Sequence, residues 1–140
     1  MFMFFFIPQY SQTFDFTQFN VSGQWPALWN RVFNYINSPD GNHLYFECLS
    51  SIRILSRDNM YLNQTIRSEQ FDCLLNLANI GPNILTAQTY GIQDDGSSAN
   101  IQVEALKCLC NLVFNSTTCQ QLCSKNAAVE GILKRLRTYK

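Results

Sequence analysis

Charge is scarce in this sequence. Only 14% of its 140 residues are Asp, Glu, Lys or Arg, and ten basic residues are cancelled by ten acidic ones. A protein that neutralises phosphates needs a basic surplus, so nucleic acid is not expected as the partner. The basic residues that collect near the end, Lys134, Arg135, Arg137 and Lys140, read as favourable charge at a helix C-terminus. Histidine occurs once, at His43 beside a turn, which leaves a cysteine nucleophile without an obvious base. Phosphate-cradling glycine loops of the G-x4-G-K-[ST] or G-x-G-x-x-G kind do not occur, so no bound nucleotide or other cofactor is expected. Long apolar runs are lacking too. Residues 1–7 are apolar but stop at Pro8, short of the about 20 residues that span a bilayer. They also lack the basic start and small-residue cleavage site of a signal peptide. Neither an integral membrane segment nor secretion is expected, and residues 1–7 read as a start-site artefact or a stretch packed on the first helices.

Apolar residues are plentiful, at 46%, enough to bury a core. Their spacing is helical. Trp25, Leu28, Trp29, Val32, Phe33 and Ile36 form one stripe, with Pro26 in the first turn, where proline is tolerated. Ser38-Pro39-Asp40-Gly41-Asn42 breaks the chain. A second helix is predicted over 43–56, burying Tyr45, Cys48, Leu49, Ile52 and Leu55 or Ser56. Arg53 and Arg57, four apart, share another of its faces. A brief helix is predicted within 60–66. Another is capped by Ser68 and striped by Phe71, Leu74, Leu75 and Ala78. After a polar loop, Val103, Leu106, Leu109, Cys110 and Val113 mark a strong helix. Cys119, Leu122 and Cys123 mark a short one, and Val129, Ile132, Leu133 and Leu136 a longer final one.

The pattern repeats. Leu49, Ile52 and Leu55 match Leu106, Leu109 and Leu112 at an offset of 57, and Phe71, Leu74 and Leu75 match Val129, Ile132 and Leu133 at 58. Armadillo and HEAT units run about 40–47 residues; the excess is the length of the 81–98 loop, which reads as an insertion between repeats. The expected fold class is all-α: an armadillo/HEAT-type helical solenoid of about two repeats over 24–140, preceded by an irregular segment at 1–23. Such units need about three repeats for stability, and no polar cap follows Leu136, so the array reads as truncated.

Six cysteines, Cys48, Cys73, Cys108, Cys110, Cys119 and Cys123, lie inside apolar helical patterns. They read as small core residues in a reducing compartment. Cys108 and Cys110 point to different helix faces, so no zinc site is expected. Asp94-Asp95 reads as a solvating pair rather than a metal site.

Two segments resemble the synembryn family. Residues 48–58, Cys-Leu-Ser-Ser-Ile-Arg-Ile-Leu-Ser-Arg-Asp, are similar to its S-[VI]-R-I-L-S-R-D segment. Residues 104–116, Glu-Ala-Leu-Lys-Cys-Leu-Cys-Asn-Leu-Val-Phe-Asn-Ser, are similar to its E-[AS]-L-K-C-L-C-N helix. Residues 11–16 resemble a stretch upstream, and the resemblance runs over 11–140. It implies an armadillo/HEAT solenoid in the cytoplasm, recruited to the cell cortex through its partner. It also implies a chaperone and guanine nucleotide exchange factor for G protein alpha subunits, acting by binding and without covalent chemistry. The alpha subunit's C-terminal helix is then expected on the concave face, with Arg53, Arg57 and Asn111 at the contacting positions. Residue chemistry alone leaves alternatives open. Arg53 and Arg57 also suit a solvated face or ion pairs with Glu47 or Asp58, and Asn111 suits a hydrogen bond to a neighbouring helix. A generic armadillo adaptor for another peptide remains the second functional reading.

Overall fold

The computed structural model describes residues 23–81, 97–125 and 128–138. The expected irregular segment, apart from Gly23, and most of the expected inserted loop, Asp94-Asp95 included, lie outside the described residues. Those that are described form seven α-helices and a 3₁₀ segment: α1 Gln24–Ile36, the 3₁₀ turn Gly41–Leu44, α2 Tyr45–Leu55, α3 Leu62–Thr65, α4 Ser68–Leu77, α5 Ser97–Asn115, α6 Thr117–Lys125 and α7 Ala128–Thr138. Among the described residues the fold is all-helical.

Helix α1 follows Gly23, whose φ of 66° is left-handed and suits a residue without a Cβ. Its predicted stripe, Trp25 through Ile36, is buried throughout. Trp25 and Trp29 stack with ring centroids 5.0 Å apart, and Phe33 tilts against Trp29 at 5.1 Å. Both indoles carry an N–H that must find an acceptor when buried. Trp25 donates to the Leu55 carbonyl at 3.2 Å, which ties α1 to the end of α2. Trp29 donates to Gln70 Oε1 at 2.9 Å, which ties it to the start of α4.

That same Gln70 oxygen accepts the Arg67 backbone N–H at 3.1 Å. It thereby caps α4, which begins at Ser68 with Arg67 as its N-cap residue. The predicted Ser68 cap is corrected accordingly: glutamine at the third helical position reaches back instead of serine reaching forward.

Helix α2 is buried more completely than one stripe predicts. Ser50, Ser51 and Ile54 are buried along with the expected residues, because α1 lies on one side and α5 on the other. Its predicted first turn is instead 3₁₀, with the α-helix starting at Tyr45.

Helices α2 and α5 run parallel, in a register fixed by hydrogen bonds from α5 side chains to α2 carbonyls. Cys108 Sγ donates to Leu49 at 3.1 Å, Asn111 Nδ2 to Arg53 at 3.1 Å and Asn115 Nδ2 to Ser56 at 2.9 Å. These pairs are 58 or 59 residues apart in sequence, close to the offset read from the repeat.

The predicted stripe of α5 needs correction. Ile101, Ala105, Cys108, Leu109 and Leu112 are buried, while Val103 is 50% exposed and Cys110 is exposed. The helix also begins at Ser97, inside the expected loop. The core reading of the cysteines therefore holds for Cys48, Cys73, Cys108 and Cys119, fails for Cys110, and holds in part for the half-buried Cys123.

Ser116 caps α6 by accepting the Cys119 N–H at 3.1 Å, and its hydroxyl donates to Asn63 Oδ1 at 2.6 Å, joining α3 to α6. Helix α7 comes back over Ile80, whose backbone leaves no room for a Cβ at Gly131. Arg135 donates from there to Asn79 O and to Gln102 Oε1, at 3.4 and 2.6 Å. The apolar residues of α7 do not repeat the burial of their matches in α4: Val129, Ile132, Leu133 and Leu136 are exposed, Leu136 by 66%. Among its described side chains, only Ala128 of this helix enters the core.

Candidate functional site

Between the parallel α2 and α5 runs an open groove of ≈ 380 Å³, lined by Arg53 and Arg57 from α2 and its end and by Val103, Leu106, Lys107, Cys110 and Asn111 from α5. All three site residues expected from the sequence therefore line one surface. On α5 the wall follows from spacing: Val103, Lys107 and Cys110 fall at i, i+4 and i+7, on the side away from the buried Ala105, Cys108 and Leu112. Arg53 lies in the last turn of α2 and Arg57 just past its end, and both reach the groove.

For Arg53 the ion pairing differs from the sequence expectation. Neither Glu47 nor Asp58 holds Arg53. Its Nε donates to Glu104 Oε1 at 2.5 Å across the helix pair. Glu104 is buried, and its other oxygen accepts Lys107 Nζ at 3.3 Å. Ser50 Oγ contributes a longer contact of 3.4 Å to Oε1. A buried carboxylate is tolerable only when paired and hydrogen-bonded, and here two cations and a hydroxyl do that. The Arg53 side chain still keeps 28% of its surface exposed.

Asn111 makes the neighbouring-helix bond that residue chemistry allowed, to the Arg53 carbonyl. It therefore sets the height of α5 against the backbone that carries Arg53. Sequence reasoning named Arg53, Arg57 and Asn111 and missed Glu104 and Lys107, although both stand inside the 104–116 segment. The available signal was an acid flanked by the positions 101, 105 and 108, a pattern that puts a carboxylate at the edge of a buried face.

The groove's charged lining has the chemistry that pairs with acids: it sets fork-shaped and point-charge donors beside the apolar Val103 and Leu106. Four of the thiols are held protonated: burial pushes those of Cys48 and Cys73 up to about 12 and raises those of Cys108 and Cys119, the reverse of activation. Among the described residues there is no cluster of His, Cys, Asp or Glu able to hold a metal, and no helix long and apolar enough to cross a membrane.

Two measurable consequences follow from these thiols. Native protein treated with a thiol reagent is expected to react fast at Cys110, more slowly at half-buried Cys123, and at the other four only on unfolding; fast labelling at Cys108 would contradict the burial. The pH effect has a definite sign. Native pKa values raised above the 9.0 of free thiols keep the thiols protonated in the fold while the unfolded chain ionises. The contribution of these thiols to stability is whole below pH 9.0 and is lost as pH climbs toward about 12. Thermal melts in reductant at pH 8 and pH 10.5 check this, with the alkaline melt expected several degrees lower, on the order of the shift per kcal/mol in a domain of this size.

Comparison with known proteins bears on the same residues. The family model described as guanine nucleotide exchange factor synembryn matches residues 48–140, a stretch that holds every groove residue named above. Chaperone Ric-8 of Drosophila pseudoobscura pseudoobscura is 34% identical across 86% of this chain and 24% of its own. Chaperone Ric-8A of Danio rerio is 31% identical across 91% of this chain and 22% of its own. Chaperone Ric-8B of Rattus norvegicus is 40% identical across 54% of this chain and 13% of its own. The chain thus spans at most about a quarter of the length of these curated relatives. No solved structure matches it. With the family model covering two thirds of the sequence and both of its family-like segments falling on the groove helices, the chain belongs to the synembryn family.

Proposed function

We propose that this chain supplies a binding surface for G protein alpha subunits, as part of a chaperone and guanine nucleotide exchange factor, and that the groove between α2 and α5 takes the alpha subunit's C-terminal segment. The observation that carries this reading is the gathering of Arg53, Arg57 and Asn111 on one cationic groove inside the family match. The parallel packing of α2 and α5 at near-constant sequence offset supports an armadillo-type arrangement in which equivalent helices line one face. The compartment that goes with this reading is the cytoplasm, with recruitment to the cell cortex through the same partner.

On this reading the mechanism is differential binding. A surface that holds the alpha subunit's C-terminal segment in its nucleotide-free arrangement, and less well in its loaded one, lowers nucleotide affinity by the ratio of the two affinities. Arg53 and Arg57 supply charge-assisted bonds to acids of that segment, and Asn111 holds α5 at the height where the groove stays formed.

The test is anisotropy of a labelled G-alpha C-terminal peptide titrated with the 140-residue chain. Arg53→Ala is expected to weaken binding about tenfold or more, the scale of a lost charge-assisted fork, and Arg53→Lys to restore it only in part. Unchanged affinity in Arg53→Ala would remove the groove as the site. Equal affinity for a scrambled peptide of the same charge would favour a generic armadillo adaptor instead.

A further inference from the structure

The groove's principal arginine is already in an ion pair, and its partner is the least exposed charged group around it. Glu104 is 3% exposed, and its two oxygens divide the work: Oε1 takes Arg53 Nε and Oε2 takes Lys107 Nζ. A guanidinium gripped at Nε keeps its Nη edge available for a second acceptor, since its five donors sit in a rigid fork. Lys107 uses one of its three donors on Glu104 and leaves 57% of its side chain exposed. Around Glu104 the balance is two cations, Arg53 and Lys107, against one carboxylate, so this cluster stays positive with both pairs intact.

We propose that Glu104 is the positioning residue of this groove and Lys107 its third cationic contact, the buried carboxylate fixing the Arg53 guanidinium and the Lys107 ammonium so that both face one carboxylate of the bound segment. This rests on the groove being the partner site and deepens that reading by naming what sets its geometry. The carboxylate comes from a chain end or from an acidic side chain; the chemistry is the same.

Coulombic attraction alone predicts the opposite of positioning. Glu104→Gln adds one unit of positive charge to the groove and on that ground tightens binding of an acid. If the carboxylate's role is to orient the two cations, the same isosteric change weakens binding. The sign of the change decides.

The experiment titrates the labelled G-alpha C-terminal peptide, free and amidated, with the 140-residue chain and its Glu104→Gln and Lys107→Met variants, at low and high salt. Thermal melts confirm that each variant is folded. Glu104→Gln is expected to raise Kd about tenfold, and Lys107→Met about fivefold with a flatter salt dependence. Weaker binding of the amidated peptide, with its response to Glu104→Gln gone, assigns the carboxylate to the chain end. Unchanged binding with the response retained assigns it to an acidic side chain. Unaltered or tighter binding by Glu104→Gln overturns the proposal.

A readout without ligand accompanies these titrations: the ¹⁵N-resolved Arg53 Nε–H signal is expected to be shifted and slow to exchange in the wild type and to collapse to free-arginine values in Glu104→Gln. Persistence of that signal also overturns the positioning role. Absence of peptide binding by the wild type instead overturns the partner site itself, and the arginine signal then tells the two failures apart.

Discussion

Trp29→Ala is expected to cost about 4 kcal/mol and to leave the chain without a sharp thermal transition. The indole is fully buried, stacks on Trp25 and tilts against Phe33. Removing it opens a cavity under both rings, and the cost of such a cavity depends on how far its walls can collapse. Here they are rings held by their own contacts, with Trp25 pinned to the Leu55 carbonyl. Domains of this kind hold about 5–15 kcal/mol in all, so the loss takes roughly a quarter to four fifths of the margin. Gln70 keeps the Arg67 N–H as a donor to its oxygen, so the missing indole N–H adds little beyond the cavity. Trp29→Phe, which keeps a ring, is expected to cost roughly half as much. Circular dichroism melts of the three proteins measure this, and a drop of only a degree or two in Trp29→Ala would contradict the packing described.

Gly131→Ala is expected to free α7 while leaving the tryptophan core intact. On an exposed helix the change would stabilise by about 1 kcal/mol, because alanine is the better helix former. The approach of α7 to the preceding chain reverses that sign. A Cβ at residue 131 would lie 1.8 Å from the Ile80 carbonyl oxygen and 2.8 Å from its carbon, both backbone atoms with little room to yield. The helix must lift, which loosens the Arg135 bonds to Asn79 and Gln102. Overpacking of this kind costs about 1–3 kcal/mol, and here it falls on one element. Hydrogen exchange is expected to speed up across 128–138 and stay unchanged in α1 and α2. Slower exchange in α7 would mean that helix propensity had won and that the close approach is absent.

What was legible in the sequence depended on how many sides of a helix are covered. Helix α1 packs through one face, so its period of apolar residues gives the buried set directly. For α2 the period identifies the element and five of its eight buried residues, since Ser50, Ser51 and Ile54 are buried by a second neighbour that no local pattern announces. In α5 the buried and groove-facing stripes lie side by side and both contain apolar residues. Val103 and Leu109 look alike in sequence, yet one is half exposed and the other buried. The positions Arg53, Arg57 and Asn111 came from resemblance rather than pattern. Their common groove, and the Glu104 that holds Arg53, depend on pairing between segments about 50 residues apart. Local charge spacing offered Glu47 and Asp58, which are nearer in sequence but do not hold Arg53.

The ladder of α5 side chains on α2 carbonyls also dictates an order of assembly. Each of its rungs closes a loop of more than 50 residues, and the entropy of such closures must be met before their contacts contribute. The contacts of α1 with α2 and α4 need shorter loops, 30 and 41 residues for the two indole bonds. As the chain leaves the ribosome, the tryptophan-centred half can therefore collapse first, with Arg53 already displayed on a nearly complete α2. The groove itself does not exist until α5 has emerged as far as Asn111, so it matures after the tryptophan-centred half on whose α2 it is built.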